Sequence, residues 1–242
     1  SVNGNIAYNE NKITNLGDDY DPANPILAGG GTALAEGHAI GTFYRVRWAG
    51  VNPANGAPLW LDADGNITNV FTTSNRVLLD KTQDPKFVGG FGTNFSYKGF
   101  ALNALFTYAA DQWRLNGSYA IIEDTSLAGF ANMSTAMLRM WQQPGDVTDI
   151  PAFNSVTIGQ AETRYLEDAS FLRLRNISLS YTLDKDMLAK TKLFTNVRIY
   201  VQGQNLLTFT KWRGFDPESN ISSTFFEYPT PKTVTVGFDV EF

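Results

Sequence analysis

A chain of 242 residues allows one large β domain or two small ones, and with no cysteine it has neither disulfides nor thiolate metal sites. Its single histidine, His38, excludes a histidine-cluster metal site, and a formal charge of −5 without a Lys/Arg-rich run gives no footing for nucleic acid. Charged residues at 18% and aromatics at 13% describe a β-rich chain with much apolar surface.

The chain opens on a strand over residues 2–9, with Val2, Ile6 and Tyr8 alternating against Asn3, Asn5 and Ala7. It has no initiator Met and no signal peptide, so it is expected to be a fragment of something longer. Residues 10–41 form an irregular connection. Gly29, Gly30 and Gly31 lack the Lys-Ser/Thr of a phosphate loop and read as linker. His38 has no partner signature near it. A further strand is expected over residues 42–48. Asp62-Ala63-Asp64-Gly65-Asn66 begins like a calcium loop, but its Gly comes too early and Thr73 stands where a Glu is needed, so a tight turn is expected.

The clearest hairpin follows. Phe87, Phe91, Phe95 and Tyr97 share one face against Asn94 and Ser96; Lys98-Gly99 turns; Phe100, Leu102, Ala104, Phe106 and Tyr108 alternate with Asn103 and Thr107. Aromatics stand near both ends of these strands, as two membrane interfaces require. Residues 109–170 form a long loop. Met133, Ala136, Met137, Met140 and Trp141 recur there at helical spacing, predicting a helix near residues 132–141 that packs within the loop. The strand over residues 171–181 alternates cleanly only after Arg175. Arg173 and Arg175 fall on the parity of Ile177, which predicts a bulge or an emergence into water. Another strand covers residues 197–207, and residues 208–231 form a third long connection. The final strand, residues 232–242, sets Val234, Val236, Phe238, Val240 and Phe242 against Thr233, Thr235, Asp239 and Glu241.

This pattern predicts an all-β, antiparallel transmembrane β-barrel segment of about seven strands, with short turns on one side and long extracellular loops on the other. With the C-terminus in the periplasm, residues 50–86, 109–170 and 208–231 lie outside the cell; residues 10–41 then fall on the wrong side. No transmembrane helix is expected. Phe91, Phe95, Phe106, Ile199, Val236 and Phe238 are expected to face lipid. Asn94, Ser96, Asn103, Thr107, Ser178, Gln202, Gln204, Thr235, Asp239 and Glu241 are expected to face the lumen. Loop residues Trp113, Arg114, Trp141, Trp212 and Arg213 have the chemistry to stack on and hydrogen-bond sugars or peptides, or else simply pack the loops. The acidic pairs Glu123/Asp124 and Asp216/Glu218 do not establish a catalytic separation, and neither an enzyme nor a cofactor is expected.

Several segments resemble the SusC/RagA-type TonB-dependent transporters. They are FLRLRNISLSY at 171–181, QNLLTFTKWRGFDPE at 204–218 and YPTPK at 228–232. EGHAIGTFY at 36–44, GVNPANG at 50–56, PKFVGGF at 85–91 and PGDVTDIP at 144–151 also fit, in order along almost the whole chain. Trp212-Arg213, Phe215 and His38 depart from the usual residues of that family. The resemblance implies a bacterial outer-membrane barrel of about 22 strands, of which residues 1–242 are the C-terminal third. It also implies a plug and a TonB-contacting segment outside this chain, a SusD-like surface lipoprotein as partner, and energy-driven import of glycans or peptides. Two alternatives remain at this point: a soluble carbohydrate-binding β-sandwich, and a barrel serving secretion or adhesion. About seven strands cannot close a barrel, so the first and last must pair with strands elsewhere in the same wall.

Overall fold

The computed structural model describes residues 1–153, 155, 159–190, 193–219 and 223–242. Its frame is a six-stranded antiparallel sheet, the wall, in which each strand pairs with its neighbour in sequence order. The wall strands are β1 (Val2–Tyr8), β2 (Phe87–Tyr97), β3 (Phe100–Ala110), β4 (Phe171–Thr182), β5 (Asn196–Thr210) and β6 (Thr233–Glu241). The outer edges of β1 and β6 have no strand partner among the described residues. The β2–β3 turn has the two residues expected. Lys98 and Gly99 both take positive φ, the backbone that matches the right-handed twist of a hairpin.

The expected strand at residues 42–48 forms, but not in the wall. Thr42–Val51 pairs with Arg76–Thr82 and Pro58–Leu61 in a separate four-stranded sheet. Both of its faces are covered: Phe43 and Val46 are fully buried on opposite sides. A membrane wall strand would instead leave one apolar face uncovered. Residues 9–86 therefore make one long connection, and the wall has six strands rather than about seven. This removes the awkward placement of residues 10–41. The long connections 9–86, 111–170 and 211–232 now leave the same end of the wall, and the shorter 98–99 and 183–195 leave the other.

The hydrophobic core lies in the connections. Phe43, Leu115 and Leu166 form it, with Leu79 and Trp113 packed against them. The Trp113–Asn116 strand carries Leu115 between Leu166–Asp168 and Ser223–Thr224, so the second and third connections meet in one small sheet. The helix expected near residues 132–141 is not α-helical. Only a 3-10 turn, Thr135–Arg139, forms there, and Trp141 N–H leaves it to bond the Ile150 carbonyl. The α-helix of this loop is Gly117–Ile122, started by the Asn116 side chain accepting from Tyr119 N–H. Asp62–Asn66 is a turn, closed by Asn66 N–H on Asp62 Oδ1 at 2.8 Å.

Candidate functional site

The wall register sorts side chains into two faces. Asn94 lies opposite Asn103, Asn103 opposite Ser178, Ser178 opposite Gln202 and Gln202 opposite Thr235, one polar row running from β2 to β6. The next row along is apolar throughout: Phe95, Leu102, Leu179, Val201 and Val236. Because side chains alternate, every residue expected on the apolar side shares one face. Phe91 stacks on Phe106 with ring centres 5.0 Å apart, and Ile199 pairs with Phe238. The polar face also holds Gln204 opposite Thr233, and Asp239 opposite Arg198 with N–O 3.5 Å.

Among the described residues no element covers the apolar face; Val236 and Phe238 are 74% and 75% exposed. Strands β2 and β3 have 11 residues each. At about 3.4 Å per residue and a tilt of about 40°, such strands rise about 28 Å, enough for an apolar band of about 25 Å. Aromatics gather at both ends of the face. Tyr8 and Phe87 lie 5.0 Å apart at the long-loop end, and Phe100 and Tyr181 lie 4.5 Å apart at the short-turn end.

The parity break at Arg175 is a β-bulge, as the sequence predicts. The register shifts between Leu174 and Asn176 against both neighbouring strands. The extra residue puts Arg173 and Arg175 on the polar face while Leu172, Leu174 and Ile177 stay on the apolar one. Both guanidiniums then clamp the third connection. Arg173 bonds Asp216, Glu218 at 2.9 Å and Thr208 Oγ1 at 3.1 Å; Arg175 reaches Glu218 at 2.6 Å, Asn205 and Thr107. Burial alone would raise the Asp216 pKa. The Arg173 bond and the Thr230 and Glu218 backbone N–H groups outweigh burial and hold it at about 2.

The loop aromatics and arginines join the connections to one another. Trp212 is buried, and Arg114 is buried with a bond to the Ser219 carbonyl. Trp113 carries Lys81 Nζ over its ring at 3.3 Å. Trp141 Nε1 donates to the Pro53 carbonyl at 3.0 Å, linking the first and second connections. Arg213 binds Glu167 at 2.6 Å, approaches Glu123 at 3.5 Å and lies 4.4 Å over Tyr119, linking the third to the second. The loop-packing reading of these residues describes their contacts. With few aliphatic residues available, long amphipathic side chains fill the loop body.

That body holds a buried acid the sequence reading did not single out. Glu162 accepts from the Trp60 indole N–H, and burial pushes its carboxyl up to about 7. Around it, Thr163 N–H bonds the Val46 carbonyl at 3.0 Å, Trp48 N–H bonds Thr163 Oγ1 at 2.9 Å, and the Arg164 guanidinium lies 5.1 Å over Trp48. Phe130, Leu138 and Val147 stay exposed at the second connection's surface.

No protein-family model matches the chain. It is 34% identical over 270 residues to TonB-dependent receptor P3 of Formosa agariphila, a match covering 98% of this chain and 26% of that protein. It is 28% identical to TonB-dependent receptor SusC of Bacteroides thetaiotaomicron, over 98% of this chain and 24% of that protein. Among solved structures, the RagAB peptide transporter aligns with a TM-score of 0.88 and 31% identity, covering all of this chain and 27% of that one. The chain thus spans about a quarter of its relatives' length. Chain-wide identity to these receptors, carried on the same meander, agrees with the motif resemblance: the chain belongs to the SusC/RagA-type TonB-dependent transporters.

Proposed function

We propose that residues 1–242 form the C-terminal part of the barrel wall and outer loops of a bacterial outer-membrane importer of large nutrients, glycans or peptides. The observation that carries this reading is the largely apolar face across six strands, uncovered among the described residues and backed by a polar row. In this arrangement Phe91, Phe95, Phe106, Ile199, Val236 and Phe238 face lipid, and Asn94, Asn103, Gln202, Gln204, Thr235 and Asp239 face the lumen. The three long connections stand outside the cell and the C-terminus lies in the periplasm. The wall's free edges pair with the remainder of the same barrel, which also supplies the plug and the contact with TonB. The exposed Phe130, Leu138 and Val147 stand where a SusD-like lipoprotein closes over the loops. The chain's part in the work is structural and selective, with no catalytic step.

The chain contains no cysteine, so single introduced thiols can report each position in a cysteine-free form of the complete transporter. Val236→Cys should react only with a lipid-soluble maleimide and Thr235→Cys only with a water-soluble one. Leu138→Cys should react from outside intact cells. Equal labelling of Val236→Cys and Thr235→Cys by the water-soluble reagent would sink the membrane reading.

A further inference from the structure

Residues 225–232 lead the third connection into β6, and three aromatics in this strip stand in the open. Phe225 is 50% exposed, Phe226 53% and Tyr228 100%. The exposure runs on into the wall: every residue from 228 to 236 is exposed, so both faces of β6 are bare there. In β4, which has a neighbour on each side, only Leu179 is exposed. Exposure on both faces thus marks an edge that lacks its neighbour, and residues 228–232 share it with β6.

The strip is nonetheless anchored. Phe226 N–H bonds Ser118 Oγ at 2.7 Å, Thr230 N–H bonds Asp216 Oδ2 at 3.0 Å, and the Pro231 carbonyl accepts from Asn205 Nδ2 at 3.3 Å. Phe226 takes a φ of +43°, which a bulky side chain rarely adopts. All three ties run to the loop body and to β5, the side on which β6 is already paired. The opposite side of the strip continues the open edge of β6. Pro229 and Pro231 have no N–H to offer there. A strand zipped onto β6 therefore cannot extend a full ladder above Thr233, and contact at that height falls to side chains. An exposed aromatic is suited to it, since it covers a large apolar area at low entropic cost.

We propose that Tyr228, with Phe225 and Phe226 above it, is a side-chain seal for the seam, packing on apolar side chains at the outer end of the strand that pairs with β6 from the remainder of the transporter. This seal presupposes the barrel wall proposed above. The test uses the complete transporter in detergent, without any lipoprotein partner, carrying Tyr228→p-benzoylphenylalanine, which keeps an aromatic ring in place. Ultraviolet light should link position 228 to a peptide of the transporter's own remainder. In a second arm, Phe226→Ser combined with Tyr228→Ser should lower by several degrees the temperature at which the barrel band shifts in SDS gels, whereas Leu138→Ser should not. The link decides the matter even where the double variant fails to assemble. A heat-shifted barrel with no such link overturns the seal and leaves the wall reading standing. A link formed only to an added lipoprotein overturns it too, and makes the strip a docking surface for that partner. An unchanged heat shift in an assembled double variant also overturns it. No heat-shifted band from the complete transporter would end the wall reading and the seal together.

Discussion

Val236 and Thr235 are adjacent residues on opposite faces of β6, and that difference is measurable. On the proposed lipid facing, Val236→Lys puts an ammonium into the bilayer and should destabilise the complete transporter in lipid vesicles by about 2–4 kcal/mol if it lies near the midplane. Thr235→Lys, on the polar face, should cost under about 1 kcal/mol; an equal loss at both positions contradicts the facing. Glu162 supplies the second residue-scale prediction. Its carboxyl is pushed up to about 7 in the fold, against 4.5 for a free side chain. The stabilising contribution of the neutral form is complete below about 4.5 and is lost as pH rises through about 7. The Trp48 and Thr163 amides beside it should therefore exchange hydrogen faster at about pH 8 than at about pH 6, after correction for intrinsic rates. Glu162→Gln should flatten that dependence, and a wild type with no pH dependence would refute it. Alternation made Val236 legible in the sequence. Glu162 was not legible, because its character comes from Trp60, about a hundred residues away in the chain.

At the scale of elements, the bulge at Arg175 and the Asp216–Glu218 segment form one device. The sequence marks the bulge through broken parity, but it does not show that both arginines take the polar face to hold the third connection. Arg173→Gln leaves Asp216 buried without its cation, a defect worth about 3–5 kcal/mol. It should speed hydrogen exchange through residues 211–219 while sparing the Trp48 and Thr163 amides. Glu218→Gln should do less, because the Glu218 side chain is half-exposed. Asp216 stays ionised down to about 2, so its contribution is present above about pH 4 and is lost only as pH falls through 2. The third connection should thus ignore the pH 6–8 step that moves Glu162; parallel responses would mean that the loops do not move independently. Thr42–Val51 failed as a wall strand for a related reason. Alternation over a few residues does not reveal whether the second face meets water or protein, and here Phe43 and Val46 both meet protein.

For the whole molecule, the decisive feature is what the wall lacks. Most of its architecture was readable, since strand alternation, the Lys98-Gly99 turn and loop lengths are local signals. The loop body was not, because its joints link residues far apart: Trp141 with Pro53, Arg213 with Glu167, Arg114 with Ser219. These joints can form in water. Among the described residues the wall is left open, with the outer edges of β1 and β6 unpaired. In a bilayer each unpaired backbone group costs several kcal/mol, and six strands fall short of the about eight in the smallest single-chain barrels. Residues 1–242 expressed alone should therefore give no band that shifts on heating in SDS gels, the mark of a folded barrel. Supplying the remainder of the transporter as a separate chain should restore the shift if the two pieces zip along β1 and β6. Replacing Val236 by Pro, which removes one donor from β6, should weaken that restoration most if the donor faces the partner strand. A heat-shifted band from the isolated chain would show that the wall closes on itself, and would end the reading of β1 and β6 as seams.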